Sequence, residues 1–145
     1  MGIFKKSKTM QEIEFMKKQV PGLTKQVNDC ISLMDSTVKP DVFFSRYDFL
    51  LETLARLSEI AKYVKITGGK PAELLKKMSA PRTREEAVDT FIRRSHAKMM
   101  EDAASMKTEK GRASKIEQYH TAMSSYAGRM SAANRTALES LKARE

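Results

Sequence analysis

Hydrophobic residues recur at steps of three and four along most of the chain, the spacing of one face of an amphipathic helix. The densest case is residues 38–64, VKPDVFFSRYDFLLETLARLSEIAKYV. Here Phe43, Tyr47, Leu50, Leu54, Leu57, Ala61 and Val64 step alternately by four and three, which is a heptad seam. Phe44 and Leu51 broaden the seam, and Val42, Phe49 and Ile60 form a second stripe roughly 100° around the wheel. A helix with two apolar stripes touches more than one neighbour, so this segment is predicted to be the spine of a bundle. Pro40 suits its first turn, and Asp41 complements the dipole there. Gly68, Gly69 and Pro71 are stop and restart signals, so the helix is predicted over about 40–67.

Upstream, Met10, Ile13 and Met16, with Phe15 and Val20 beside them, mark a segment over 9–19 that Pro21-Gly22 is expected to interrupt. Leu23, Val27, Cys30, Ile31, Met34 and Val38 then predict a helix over 22–37, ended by Lys39-Pro40. Downstream, PAELLKKMS reads as a short helix. Thr83-Arg84-Glu85-Glu86 has the form of a capping box. The stripe it opens is Val88, Ile92, Ser95, Met99, Ala103 and Met106, widened by Phe91. Ala113, Ile116, His120, Met123, Ala127 and Met130 continue the pattern, which predicts one helix over about 83–129 through Gly111, straight or kinked. Ser131 is placed as the N-cap of a last short helix carrying Leu138 and Leu141.

These elements predict an all-α fold: an antiparallel helical bundle built on two long helices, about 40–67 and 83–129, with shorter helices packed around them. Residues 1–145 are expected to form a single helical domain, with 1–8 a basic flexible terminus and 68–82 a basic connector. Apolar stripes on long helices often outrun what one chain covers, so a homodimer is expected.

Composition sharpens this picture. Hydrophobic residues make up 41% and charged residues 31%, too apolar for disorder. Six Gly and four Pro are too few for an all-β fold, and ten Met with no Trp suit a pliable helical core. Cys30 is the single cysteine, which excludes an intrachain disulfide and a cysteine-based zinc knuckle. A reducing, cytoplasmic location is the simplest expectation. No apolar run approaches the ~20 residues that span a bilayer. The start MGIFKKSKTM lacks the apolar stretch of a signal peptide, and Lys6 with Ser7 departs from a myristoylation pattern.

Charge is the strongest functional hint. The net charge is +9, and residues 62–84 hold Lys62, Lys65, Lys70, Lys76, Lys77, Arg82 and Arg84 against Glu73 alone. Such a segment is a candidate polyanion-binding site, able to neutralise phosphates in a salt-dependent way. Tyr63 is the single aromatic residue in it, which argues against base stacking. A solvated connector is the alternative reading of the same residues.

Other chemistry is thin. Glu117-x-x-His120 has the spacing of a di-iron ligand pair, but Arg93 stands where a second motif built on His96 needs its carboxylate. GGK at 68–70 lacks the first Gly and the Ser/Thr of a phosphate loop, with Val64 and Pro71 in those places. Two His, one Cys and no cofactor fingerprint predict a protein that is not an enzyme and carries no cofactor or catalytic residue.

The block FFSRYDFLLETLARL, with FIRR at 91–94, MKTEKGR at 106–112 and MSAAN at 130–134, resembles small uncharacterised helical proteins of Gram-positive bacteria and their phages or mobile elements. The matching motifs span residues 40–135. The resemblance implies an all-helical protein and no particular activity. Members with a cysteine-rich zinc module differ from this chain, which has Cys30 alone. The sequence therefore points to a helical interaction or structural module that binds a protein partner or itself through apolar helix faces. A nucleic-acid-associated protein using the basic segment is the first alternative, and a metal-binding bundle the second.

Overall fold

The computed structural model describes residues 8–67, 69–77 and 81–144, with the backbone alone at 70, 77 and 81–83. Six helices follow in order, α1 Met10–Ser36, α2 Pro40–Ala61, α3 Gly69–Lys77, α4 Pro81–Ala104, α5 Glu109–Ser124 and α6 Ala132–Ala143. No strand occurs among the described residues, so the fold is all-α. No described helix is long and apolar enough to cross a membrane.

The first helix is continuous where an interruption at Pro21-Gly22 was expected. Thr9 caps it, accepting from the Glu12 amide at 3.1 Å. Pro21 cannot donate to the Lys17 carbonyl, a loss that normally breaks a helix. Here Pro21 and Gly22 lie on the exposed side, while Met16 before them and Val27 after them are buried. Arg56 of α2 donates to Gln19 Oε1 at 2.6 Å and ties down the turn just before the proline. Packing on both sides thus outweighs the local penalty.

The three residues 37–39 reverse the chain, and α2 runs back along α1. Lys8 lies 5.6 Å from the Tyr63 ring centre, and Gln19 meets Arg56, which is antiparallel order. The spine prediction holds through Leu57, whereas the last two seam positions, Ala61 and Val64, are exposed and half-buried. Phe43, Tyr47, Leu50, Leu54 and Leu57 are buried, as are Phe44 and Ile60. The second stripe is split: Ile60 is buried, but Phe49 is exposed. The helix ends at Ala61 and does not reach 67. Tyr63, Val64, Ile66 and Thr67 follow, aromatic or β-branched residues that lose side-chain freedom in a helix. Gly69 adopts φ +68°, a left-handed conformation that glycine tolerates and that lets the chain restart as α3.

The long helix expected over 83–129 is folded on itself. α4 begins at Pro81, two residues ahead of Thr83, so Thr83 is not the N-cap; its side chain lies outside the described residues. The helix stops at Ala104, where Ser105 Oγ donates to the Asp102 carbonyl at 2.7 Å. Thr108 then caps α5 by accepting from the Gly111 amide at 2.9 Å. These hydroxyls offer the backbone an alternative to a continuing helix. Gly111 is therefore no kink; a Cβ there would come within 3.0 Å of Thr108 Oγ1. The reversal leaves Met106 exposed and turns α5 so that Tyr119 and Met123 are buried, with Ala113 on the surface.

α2 and α4 are antiparallel, as expected for the two principal helices. Phe43 stacks on Phe91 with ring centres 4.1 Å apart, and Tyr47 lies opposite Arg84 and Val88. Tyr119 of α5 and Ser95 of α4 share a buried hydrogen bond of 2.8 Å, and Tyr119 also reaches the Ile92 carbonyl at 3.3 Å. Tyr119→Phe is expected to lower stability by about 1 kcal/mol, the net worth of a neutral buried hydrogen bond, as read from urea unfolding. Ser131 caps α6 as expected, accepting from the Asn134 amide at 3.1 Å. Buried Asn134 in turn donates to the Glu85 carbonyl at 3.0 Å and fastens α6 to α4.

Candidate functional site

The basic segment is spread out by the fold. Lys62 ends α2, is exposed and pairs with Glu59 at 3.1 Å. That contact holds the Glu59 carboxyl below its usual range. Lys65 is exposed in the link after α2, and Lys76 is exposed on α3. Lys70 and Lys77 fall in α3 and Arg82 in the first turn of α4, with side chains outside the described residues. Arg84 faces Tyr47. From Tyr47 to Lys62 along α2 is about 22 Å at 1.5 Å per residue, so Arg84 and Lys62 do not converge on one point.

Arg84 instead joins a cleft of about 480 Å³ with Tyr47, Asp48, Arg129, Ser131 and Asn134. Arg129 is salt-bridged to Asp48 and lies 5.1 Å over the Phe44 ring. Burial raises the Tyr47 hydroxyl's pKa, opposed by Arg84 and Arg129. Asp48 and Glu85 balance the two arginines in this lining, so the cleft is polar without a charge surplus.

A second cleft, of about 260 Å³, lies where the α1–α2 link meets the α4–α5 hairpin. Lys39, Lys98 and Lys115 line it, together with Asp102. None of these lysines belongs to the basic segment singled out from the sequence. They lie far apart along the chain, and only the folding of α4 against α5 and α2 brings them together.

Histidine chemistry is not assembled into a metal site. The rings of His96 and His120 approach to 6.5 Å between centres, with Tyr119 beside both. Among the described residues no group of three or more His, Cys, Asp or Glu is placed to hold a metal ion.

Two surface features remain. The Arg46 side chain on α2 is exposed and forms no hydrogen bond or ion pair with a described residue. Its charge opposes the rise in the Cys30 thiol's pKa, which burial causes. The other feature is the outer edge of α1, where Phe15 is 60% and Leu33 41% exposed. They are eighteen residues apart, five full turns, so both project along the same line. The Gln19–Arg56 hydrogen bond lies beside that line.

No family model matches the chain, and no curated protein or solved structure is similar enough to count as a relative.

Proposed function

We propose that the protein is a non-enzymatic helical interaction module that self-associates through the outer edge of α1. The observation that carries this reading is the exposure of Phe15 and Leu33 on one line of the helix. Two copies of α1 laid antiparallel about Thr24 would set Phe15 of each against Leu33 of the other, the reciprocal contact of a two-fold interface. Gly22 would lie near the centre, and a Cβ added there meets nothing within 4 Å, which leaves room for close approach.

Charge favours this surface for a second copy. The chain carries +9, but α1 holds Glu12, Glu14, Asp29 and Asp35 against Lys17, Lys18 and Lys25. A nearly neutral helix can meet its own copy with little repulsion. Light scattering on a sizing column is expected to give twice the 16.4 kDa chain mass. Phe15→Glu and Leu33→Glu should each return it to the single-chain mass with helicity unchanged. A wild-type chain that stays monomeric at high concentration, or variants that stay dimeric, would sink the proposal.

The alternative is polyanion binding by Lys62, Lys65, Lys70, Lys76, Lys77, Arg82 and Arg84, supported by the exposure of Lys65 and Lys76 and by the charge surplus. It predicts retention of duplex DNA at low salt that falls steeply as salt rises. Absence of retention at low salt would remove it.

A further inference from the structure

We propose that the cleft of Lys39, Lys98 and Lys115 binds a small organic dianion: a phosphate or dicarboxylate head on a short apolar body. The three lysines come from three separate segments, the α1–α2 link, α4 and α5, and meet at one concave place. One carboxylate, Asp102, shares the lining, 3.2 Å from Lys98 Nζ, and Glu101 approaches the same ammonium at 3.9 Å. The side chains of Lys39 and Lys115 form no hydrogen bond or ion pair with a described residue. Two of the three lysines that line the cleft therefore carry a charge that no described side chain pairs with.

The remaining walls select what the anion is attached to. Val38, Pro40, Met99 and Ala122 are apolar, and the Tyr119 hydroxyl at the floor is already taken up by Ser95 and the Ile92 carbonyl. The floor thus offers contact surface rather than unmet hydrogen bonds. A cavity of about 150 Å³ suffices for benzene. The roughly 260 Å³ here accommodates a ring-sized body with an anionic head beside it. The N-terminus of α2 adds to the field in the same direction, since Lys39 at its cap position makes no side-chain capping bond and Pro40 opens the helix.

The test uses the full chain at low salt with phenyl phosphate, phthalate and neutral benzyl alcohol as probes, followed by amide NMR. Saturable shifts are expected at Val38, Lys39, Ser95, Met99 and Gln118 with the two dianions and none with benzyl alcohol. The stronger dianion identifies the head group. Lys39→Gln with Lys115→Gln is expected to weaken binding about tenfold or more, the worth of a charge-assisted hydrogen bond. Both side chains lack partners among the described residues, so the variant should unfold at the wild-type temperature, and Lys65→Gln should bind as wild type does. Absent saturable shifts with both dianions, equal binding of benzyl alcohol, or unchanged affinity in the folded double variant would overturn the proposal.

Discussion

Phe91→Ala is expected to destabilise the protein by about 3–5 kcal/mol, the usual cost of truncating a fully enclosed aromatic side chain. Phe91 has 0% exposure and stacks on Phe43, itself 2% exposed. It also meets Phe44 edge-on with ring centres 6.1 Å apart, and Phe44 stacks on Tyr126. Removing the ring leaves a cavity at the point where α2, α4 and the segment after α5 join, which backbone movement cannot close without separating them. Against a total stability of about 5–15 kcal/mol for a domain, this is a large share. Urea unfolding should show a lower midpoint, whereas Met10→Ala, at an 83% exposed position, should change it little. A Phe43→Ala, Phe91→Ala cycle should show coupling of about 0.5–3 kcal/mol, because the stack is lost only once. A Phe91→Ala midpoint equal to that of Met10→Ala would contradict the packing described.

The second large effect is expected at Arg94. Its guanidinium, half-buried on α4, donates to the Thr37 carbonyl through Nε at 3.0 Å and Nη2 at 2.9 Å, and to the Met34 carbonyl. These are carbonyls at the C-terminus of α1, where no intrahelical donor remains and where α1 has no basic residue in its own last turn. The same side chain lies 5.7 Å over the Phe91 ring. Arg94→Ala removes a charged donor from both carbonyls and is expected to cost about 2–3 kcal/mol. Arg94→Lys should recover only part of this, because an ammonium lacks the planar fork that spans two acceptors. Hydrogen exchange should locate the loss, with faster exchange of the Thr37 amide, which donates to Leu33 O at 2.9 Å, before the amides of α2 follow. Full rescue by lysine would mean that charge alone, and not the bidentate geometry, holds α1 to α4.

The two roles are not equally legible in the sequence. Phe91 was placed on the apolar stripe of its helix, so its burial follows from spacing. Arg94 sits next to it in a polar position, and nothing local marks it as the residue that closes a helix sixty positions earlier. The same contrast runs through the candidate sites. Lys62 to Arg84 stood out because charge is dense along the chain, yet the fold sets Lys62 and Arg84 at separate places along α2. Lys39, Lys98 and Lys115 each lie among ordinary neighbours and become a group only in space.

What the sequence alone determined is the helical character and the buried faces. Phe43, Tyr47, Leu50, Leu54 and Leu57, Val27, Cys30 and Met34, and Val88, Ile92, Met99 and Ala103 are all buried where spacing placed them. A period of 3.6 residues is a local property, written in the order of side chains. The tertiary structure decided where helices pass through or turn back. Packing against α2 carries α1 across Pro21-Gly22, and hydroxyl caps at Ser105 and Thr108 fold the last long stripe into two helices. It also decided which charges share a cleft. Those outcomes depend on the balance of a local penalty of a few kcal/mol against contacts from residues distant in the chain, and that balance exists only once the helices have met.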